Sequence, residues 1–392
     1  ESSPFVEFPP ELLSSSHFTH PRLIAQVRFN EWTSQGVLRH PAFLGLRDDK
    51  SPRDVKREKS VARTAAANDV ARELEAVARK TENGKRKTKI VSPSAESRVP
   101  SAEIKFTSLD KIFFPVPKFT KGRLLEFYAD IAPWLNPAIR DRPMVLKRYP
   151  NGINGEAFYQ HKALTEPPEG VRTEMVIEGS EDELRYIGGD LPTLLYLVQL
   201  GAISTDPWHS RVQSSMDADY SIVDLDPGPD AKFRRVVDVA RWVKEELDEL
   251  GLHAVPKTSG ASGIHIVLPL PAGASYDVSR VLAQIIATNV NRKHPKETTI
   301  ERTVRKRPRD SVYLDYLQNI RGKTVASVYS ARAEQYASVS TPLKWNELTN
   351  DLSPIDFTIE NVVKRIKKVG DLWAAGMKKK IRLPGIVGDA AA

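Results

Sequence analysis

One short segment, Ser221–Gly228, most constrains the fold of this chain. It reads Ser-Ile-Val-Asp-Leu-Asp-Pro-Gly, an apolar run with two aspartates separated by one residue and a Pro-Gly turn at its end. Such a run is typical of a buried strand, so it requires a sheet that other elements cover. Alternate side chains of a strand share a face, about 6.6 Å apart, so Asp224 and Asp226 can face one place. That spacing suits two divalent cations, although a pair of aspartates that caps a turn is the simpler interpretation of this segment alone.

A second predicted strand, Ser311–Asn319, places Asp315 among apolar and aromatic residues. A buried carboxylate is costly unless it is paired or bound to a metal ion, so Asp315 needs a partner. A shared metal ion would meet this need, and so would an ion pair with a nearby arginine. The candidates for that pair are Arg307, Arg309 and Arg321. Both alternatives stay open from the residues alone.

A loop of small residues, Ser259–His265, runs into a third predicted strand. Its two glycines let backbone N–H groups approach an anion, its hydroxyls add donors, and His265 could contact a phosphate oxygen. It is not a P-loop, because it lacks the Gly-Lys-Ser/Thr ending and enters a strand instead of a helix. An ordinary hairpin loop is the alternative. The aspartate pair, this loop and the Asp315 strand together are nevertheless more consistent with one site than with three coincidences.

Composition narrows the chemistry further. The 392 residues contain no cysteine, which excludes disulfides, thiolate zinc sites and cysteine nucleophiles. Any metal ion must then be held by Asp, Glu or His side chains or by backbone or substrate oxygens, which makes Mg²⁺ or Mn²⁺ the natural candidates. The formal net charge of +8 is compatible with a polyanionic partner. Because no apolar stretch reaches about 18 residues and no secretion signal is present, we expect a cytoplasmic protein, in the bacterial cytosol or nucleoid, without membrane association.

Periodicity and charge divide the chain into four predicted parts. Residues 1–57 form a small β element, and 58–103 contain the end of a helix that begins near Ser51, followed by a basic flexible linker. Residues 104–376 form one α+β domain, and 377–392 form a basic disordered tail. In the third part the patterns predict helices at 121–131, 191–200, 233–251, 276–290 and 358–374, and strands at 143–149, 157–161, 220–225, 264–270, 312–317 and 325–328.

The three motifs resemble those of the archaeo-eukaryotic primase superfamily, and residues 104–376 resemble the polymerase domain of ligase D, the bacterial end-joining protein. Further segments that carry the resemblance are Leu109–Pro115, Thr120–Gly122, Arg142–Gly152, Phe158–Gln160, Arg321–Thr324 and Ser340–Trp345. The resemblance implies an α+β primase-polymerase fold, with an RRM-like core of mixed and antiparallel sheets flanked by helices. It also implies a template-dependent nucleotidyltransferase that fills gaps and extends ends in non-homologous end joining. Two divalent metal ions, Mn²⁺ or Mg²⁺, would be its cofactors, and NTP or dNTP its substrate.

The resemblance implies a role for each matched residue. The catalytic, metal-binding residues would be Asp224, Asp226 and Asp315. The residues that bind the incoming nucleotide would be Ser259, Gly260, Ser262, His265, Lys147, Gln318, Arg332 and Tyr159. The residues that bind DNA and a downstream 5′-phosphate would be Lys111, Lys121, Arg148 and Phe158. Without the family pattern, Lys111 and Lys121 would be interpreted as solvated surface lysines, and Phe158 and Tyr159 as core residues.

Two positions depart from the family pattern. Ser262 stands where many relatives have a lysine, which removes a cation that would face the phosphates. Asp206 stands where a histidine is frequent, which affects the contacts expected with the sugar or base of the nucleotide.

The N-terminal part has a resemblance of its own. Segments Arg22–Phe29, Glu31–Thr33 and Leu38–Lys50 are similar to the C-terminal end of the OB-fold of ATP-dependent DNA ligases. The Lys-x-Asp-Gly sequence that carries AMP in those ligases is absent, so we expect no ligase activity from this chain alone. We expect instead a piece of a longer fusion of ligase and polymerase.

Two other functions remain as alternatives. A primase that starts chains de novo would differ in having no preference for a 5′-phosphorylated gap. A non-catalytic module that binds DNA ends for a ligase complex would incorporate no nucleotides. The expected partners are DNA with gaps or broken ends, a ligase domain in the same protein or complex, and a Ku-like end-binding protein.

Overall fold

The computed structural model describes residues 104–178 and 181–382 and, towards the N-terminus, four short strands. The chain separates into two compact units: Glu1–Arg98 with Thr303–Arg305, and Val99–Arg302 with Lys306–Ala392. The helix and basic linker expected between 51 and 103 lie outside the described residues, as do residues 383–392 of the tail expected at 377–392. Residues 377–382 of that tail are described, and Ile381 is buried and donates its N–H to the Pro269 carbonyl.

The first unit contributes two small antiparallel pairs. Strand β1 (Ile24–Arg28) pairs with β4 (Ala42–Arg47), and β2 (Glu31–Trp32) pairs with β3 (Leu38–Arg39). The sequence predicted a small β element over residues 1–57, and all four strands lie within it.

The second unit contains the remaining elements. Its helices are α1 (Lys121–Ile139), α2 (Leu191–Gln199), α3 (Phe233–Glu249), α4 (Tyr276–Lys293), α5 (Val362–Val369) and α6 (Leu372–Met377). Its strands are β5 (Ile112–Phe114), β6 (Phe119–Thr120), β7 (Met144–Arg148), β8 (Phe158–Gln160), β9 (Thr173–Glu178), β10 (Glu181–Tyr186), β11 (Asp206–Pro207), β12 (Tyr220–Pro227), β13 (Val255–Thr258), β14 (Ile264–Pro269), β15 (Thr298–Thr299) and β16 (Val312–Asp315). Short 3₁₀ helices lie at Val212–Ser214, Leu317–Asn319, Trp345–Glu347 and Pro354–Asp356. A further 3₁₀ helix, Val304–Lys306, begins in the segment that belongs to the first unit.

A five-stranded mixed sheet forms the centre of this unit, in the order β13-β14-β12-β16-β15. Strand β12 pairs antiparallel with both β14 and β16, while β15 runs parallel to β16. Strands β13, β14 and β16 are buried along their whole lengths, as expected of a sheet with both faces covered. The apolar run that contains Asp224 and Asp226 is therefore the central strand of the sheet.

Helices α3 and α4 cover one face of this sheet. Val236, Ala240, Val243 and Leu247 recur at helical spacing on α3 and are fully buried. They belong to the same apolar cluster as β12 residue Leu225. Since alternate side chains of β12 point the other way, the aspartates lie on the face that these helices do not cover.

The opposite side of the unit is built around α1 and α2. A three-stranded sheet of order β11-β7-β8 and the hairpins β5-β6 and β9-β10 accompany these helices. Their apolar cluster includes Tyr220 and Ile222 of β12, so it packs on the second face of the central sheet. The polar side chains described below lie between these two layers.

Helix α1 continues to Ile139, beyond the end expected at 131. The helix contains Pro133 and Pro137, each of which removes a backbone donor at a cost of about 3 kcal/mol in a helix interior. Leu135 and Ile139 are fully buried and continue the apolar stripe of the helix. Burying two such side chains contributes about 3–6 kcal/mol in total, which offsets the cost of the prolines.

Two other predicted elements differ from the structure. The single helix expected over 358–374 is two helices, because Gly370 ends α5 with a φ of 83°. Asp371 then caps α6 by accepting a hydrogen bond from the Ala374 N–H. The strand expected at 325–328 is irregular backbone, preceded by an isolated bridge between Thr324 and Trp208. The α+β class with mixed and antiparallel sheets is confirmed. No described helix is long and apolar enough to cross a membrane.

Candidate active site

A row of four polar side chains crosses one face of the central sheet. Lys257 of β13 lies opposite His265 of β14, and His265 lies opposite Asp224 of β12. On the other side of β12, Asp224 lies opposite Asp315 of β16. Directly opposite residues in antiparallel strands share a face, as do residues i and i+2 of one strand. Asp226 therefore joins this face, and the three aspartates come together.

The carboxylates repel one another and are poorly solvated. Asp224 and Asp315 are only 6% and 9% exposed. Burial raises the pKa of Asp224 well above its usual range, and the charges of Asp226 and Asp315 raise it further. Burial, and then Asp315, also raise the pKa of Asp226. The cluster therefore needs positive charge, which hard cations can supply to carboxylate oxygens.

One oxygen of the cluster lacks a hydrogen-bond partner. Asp224 Oδ1 lies 3.3 Å from His265 Nε2 but accepts no hydrogen bond among the described residues. In the same part of the chain, no three histidine, cysteine, aspartate or glutamate side chains already surround a single point as a metal site would require. The fit of the residues to divalent cations rests instead on the unsatisfied buried oxygen, on the mutual repulsion and on the all-oxygen chemistry of the aspartates.

Asp315 is held by its own strand end and not by an arginine. Its Oδ1 accepts from the Leu317 N–H at 2.8 Å, and its Oδ2 accepts from Gln318 Nε2 at 2.8 Å. The three arginines considered from the sequence are engaged elsewhere in the described part of the chain. Arg307 stacks over the Tyr313 ring, Arg309 pairs with Asp230, and Arg321 donates to the Ser215 carbonyl. The Asp315 carboxylate is thus oriented by its own strand end, while Arg307 acts on the cluster through its charge, which partly offsets the raised pKa of Asp226.

Asn319 fixes β12 beside the end of β16. It is completely buried, and its side-chain amide donates to the Ile222 carbonyl at 2.7 Å while accepting from the Ile222 N–H at 2.8 Å. The amide thereby replaces a strand residue at a point where the β12–β16 ladder, which covers Asp224 to Pro227, has ended. The role of Asn319 is not predictable from its motif, because it depends on the pairing of β12 with a distant segment.

His265 is buried and bound to a lysine. Its Nδ1 lies 2.8 Å from Lys257 Nζ, and burial, followed by the charges of Lys257 and Arg332, holds the pKa of His265 well below its usual range. Lys257 is itself 1% exposed. Burial, and then Arg332, lower the pKa of Lys257 to about 7. Sequence reasoning missed Lys257, because a lysine that precedes a polar loop resembles an ordinary surface residue.

The loop before His265 is closed by its own serine. Ser259 Oγ accepts from the N–H groups of Ala261 and Gly263, at 3.1 and 3.0 Å. These two amides therefore face the serine and are not directed outwards. Gly260 has a φ of 76°, and a Cβ there would lie 2.7 Å from the Ser340 backbone nitrogen. Ser262 is exposed at the tip of the loop.

Basic side chains surround the row of polar residues. Arg332 lowers the raised pKa values of Asp224 and Asp226, although burial and like charges have the larger effect. Burial raises the pKa of Asp206, and the charges of Arg332 and Lys147 partly offset that increase. Asp206 accepts a hydrogen bond from Ser204 at 2.6 Å. Arg332 and Lys147 therefore place positive charge next to the carboxylates, as binding of a triphosphate would require.

Strand β8 presents two aromatic rings to solvent. Phe158 and Tyr159 are 44% and 64% exposed, so the interpretation of this pair as core residues does not describe the structure. Arg148 lies over the Phe158 ring at 5.0 Å, and Lys147 Nζ lies 5.5 Å from the centre of the Tyr159 ring. Exposed rings beside cations are suited to stacking on bases next to a phosphate backbone.

Lys111 and Lys121 lie together at the β5–β6 hairpin. The Lys121 N–H donates to the Lys111 carbonyl, and Lys111 Nζ donates to Asn151 Oδ1 at 2.6 Å. Lys121 is only 6% exposed, and its Nζ donates to the Thr107 carbonyl at 3.1 Å. Burial, and then Lys111 and Arg148, lower the pKa of Lys121 to about 8. Three neighbouring cations, one of them buried, form a candidate site for an anion; Lys121 is not a solvated surface lysine.

Comparison with known families gives two matches. Residues 120–373 match the family described as LigD, primase-polymerase domain. Residues 1–50 match the family described as ATP dependent DNA ligase C terminal region. The order of the two matches along the chain is the order that the sequence resemblance implied.

Sequence comparison with individual proteins gives relatives of the same kind. The chain is 34% identical over 275 residues to the bifunctional non-homologous end joining protein LigD of Bacillus subtilis (strain 168), which is 70% of this chain and 44% of that protein. It is 29% identical over 386 residues to the multifunctional LigD protein of Pseudomonas aeruginosa, which is 97% of this chain and 43% of that protein. The chain thus spans less than half the length of these curated relatives.

A solved structure shares the fold. It is the polymerase domain from Mycobacterium tuberculosis ligase D in complex with DNA, which superimposes with a TM-score of 0.66 at 27% sequence identity. The similarity covers 71% of this chain and 100% of that one.

Proposed function

The chain belongs to the LigD primase-polymerase family, and from that premise we propose that it is a template-dependent nucleotidyltransferase that fills gaps and extends DNA ends in non-homologous end joining. The observation that carries this proposal is the placement of Asp224 opposite Asp315, with a buried carboxylate oxygen that lacks a hydrogen-bond partner. A surface that only bound DNA would have no use for three mutually repelling carboxylates, two of them buried.

Asp224, Asp226 and Asp315 would hold two divalent cations, Mn²⁺ or Mg²⁺. When bound, such ions stabilise charge on the attacking and departing oxygens of a phosphoryl transfer. The protein contributes placement: β12 and β16 fix the three carboxylates on one face, and Gln318 orients Asp315 by donating to its Oδ2. Because Gln318 is bound to a carboxylate, its effect on the nucleotide is exerted through Asp315.

The incoming nucleotide would lie between the loop after β13 and the β7–β8 pair. Arg332 and Lys147 supply positive charge there, and the resemblance adds contacts from Ser259, Gly260, Ser262 and His265. Tyr159 would stack on the base from the exposed face of β8. Since every base has an aromatic face, stacking of this kind accepts all four bases.

The downstream 5′-phosphate would bind at the cluster of Lys111, Lys121 and Arg148, with Phe158 beside it. A cation that is buried beside two others is destabilised until an anion arrives, so this cluster gains more from a phosphate than scattered surface lysines do. A preference for 5′-phosphorylated gaps follows from it and distinguishes end repair from de novo priming.

The wider assembly is part of the same proposal. The relatives named above are end-joining proteins that are more than twice as long as the aligned region, so a ligase domain in the same protein or complex is the expected partner. A Ku-like end-binding protein would bring the polymerase to broken DNA. The chain alone would not seal nicks.

Primer extension on a short gap tests the proposal. The substrate is prepared with and without the downstream 5′-phosphate, and NTPs and dNTPs are compared in Mn²⁺ and in Mg²⁺. We expect metal-dependent, templated incorporation that is faster on the phosphorylated gap. Lys121→Met should remove the effect of the 5′-phosphate, whereas Lys367→Met, which changes an exposed lysine on α5, should retain it. Absence of incorporation with either metal and with every substrate would leave only the non-catalytic DNA-end binding module.

A further inference from the structure

The buried Lys257 contacts three polar atoms from three different segments. Its Nζ lies 2.9 Å from the Ala326 carbonyl oxygen, 2.7 Å from Ser340 Oγ and 2.8 Å from His265 Nδ1. An ammonium group has three hydrogens and no acceptor. These three contacts therefore use all the hydrogen bonds that the side chain can donate.

The direction of each hydrogen bond follows from the partners. The Ala326 carbonyl can only accept, and Ser340 Oγ donates its own hydrogen to the Thr258 carbonyl at 2.8 Å, so it accepts from the lysine. The third hydrogen of the lysine then points at His265 Nδ1, which must accept it. A neutral imidazole carries one hydrogen, and when Nδ1 is the acceptor that hydrogen is on Nε2.

We propose that Lys257 is a positioning residue that fixes the tautomer and ring orientation of His265, so that the Nε2–H lies on the side of the carboxylate cluster and is available to an incoming phosphate oxygen. The geometry places Nε2 on that side, 3.3 Å from Asp224 Oδ1. Nδ1 is occupied by the lysine, so the ring cannot turn without losing that contact. The part that concerns phosphate rests on the proposed function, whereas the part that concerns the tautomer does not.

The energetic cost of Lys257 favours a role beyond packing. Its burial and the neighbouring Arg332 destabilise the ammonium, as the lowered pKa shows. An apolar side chain of similar length would fill the space without this cost, so a lysine here is expected to serve its polar partners. A purely structural role, as a clamp between the segments of Ala326 and Ser340, is the competing explanation that an experiment must separate.

The first measurement observes the histidine directly. The imidazole ¹⁵N signals of His265 are recorded by NMR in the full chain, without metal or nucleotide, at about pH 6, which is below the lowered pKa of Lys257 of about 7 and keeps its ammonium form. We expect a single Nε2–H tautomer in the wild type and a mixture of tautomers in Lys257→Met. Ser340→Ala, which removes another contact of Lys257 but leaves its contact with His265, should keep the single tautomer. An unchanged single tautomer in Lys257→Met overturns the proposal.

The second measurement is a double-mutant cycle on nucleotide use. Lys257→Met should raise KM for the incoming nucleotide about tenfold, the effect of losing one well-oriented hydrogen bond to a charged group, with a smaller change in kcat. In the His265→Ala background, Lys257→Met should have no further effect on KM. A full additional loss in that background would show that Lys257 acts independently of His265 and would contradict the proposal.

The two measurements test the proposed function and the role of Lys257 independently of each other. If the wild type incorporates no nucleotide, the proposed function is wrong, and the NMR comparison still decides whether Lys257 sets the tautomer. If Lys257→Met does not fold, Lys257→Leu, which also has no donor for Nδ1 but a different apolar shape, takes its place. The same mixture of tautomers is then expected, and a single unchanged tautomer again overturns the proposal.

Discussion

Asp224 and Asp315 lie directly opposite each other on adjacent antiparallel strands. Like charges at such a pair of positions destabilise a sheet, and burial of both residues increases the effect. A sheet can keep two carboxylates at such positions when a cation binds between them, because both carboxylates then attract the cation.

The metal-free protein should be stabilised when one of the repelling carboxylates is removed. Burial, and then the charges of Asp226 and Asp315, raise the pKa of Asp224 because they destabilise its charged form. Asp224→Asn removes that charge, so its Tm in a chelator should exceed that of the wild type. Mn²⁺ should raise the Tm of the wild type, since a ligand at about 100 times its Kd adds about 2.7 kcal/mol, but should raise that of Asp224→Asn far less. Thermal unfolding of both proteins, with and without Mn²⁺, checks this; equal responses to Mn²⁺ would place the metal elsewhere.

Asn319→Ala should lower the free energy of unfolding by about 3 kcal/mol, because it leaves the N–H and carbonyl of Ile222 buried and without partners. Urea denaturation measures the loss. Asn346→Ala, at an exposed position, should change stability by no more than about 0.5 kcal/mol. A loss at Asn319 no larger than at Asn346 would mean that other groups satisfy Ile222.

Two glycines with similar φ angles allow the cost of backbone strain to be distinguished from the cost of a steric clash. Gly260 and Gly273 have φ values of 76° and 78°, but only at Gly260 would a Cβ meet other atoms, with the Ser340 nitrogen at 2.7 Å. Both alanine variants should lose about 1–2 kcal/mol from the left-handed conformation. Gly260→Ala should lose clearly more, and should also bind nucleotide more weakly, because the loop before His265 must move. Chemical denaturation and nucleotide titration of the two variants make the comparison, and equal losses would argue against the tight loop.

The exposed ring of Tyr159 should contribute to nucleotide binding without selecting a base. Tyr159→Ala should raise KM about tenfold for all four nucleotides, within the range of about 1–3 kcal/mol for stacking on one base, while Tyr159→Phe should remain close to the wild type. Tyr336→Ala, at another exposed tyrosine (42% exposed), is the matched control. Steady-state kinetics with each nucleotide test this, and a loss confined to one base would indicate selective recognition instead.

Much of the central sheet was predictable because its strands carry strong local patterns. The apolar runs around Asp224, His265 and Asp315 predicted three strands, and the structure places them side by side. The regular apolar spacing of α3 likewise predicted a helix close to its observed bounds. These features are determined by residues close together in the sequence, and the periodicity of apolar residues reveals such local patterns.

The remaining features depend on contacts between distant segments. The continuation of α1 past Pro133 relies on burial in a cluster that no local window reveals. The partnership of Lys257 with His265, and that of Asn319 with Ile222, arise only when strands pair. The roles assigned to the site residues came from family resemblance and stay predictions until they are measured.

Primer extension by Asp224→Asn tests the central claim most directly. The assay uses a 5′-phosphorylated gap with Mn²⁺ and compares the wild type, Asp224→Asn and Asp351→Asn, whose aspartate is exposed. We predict that Asp224→Asn binds the gapped DNA as the wild type does but incorporates nucleotide at least about a thousandfold more slowly, while Asp351→Asn is fully active. Incorporation by Asp224→Asn at a rate close to that of the wild type would contradict the account of the three aspartates as the catalytic centre.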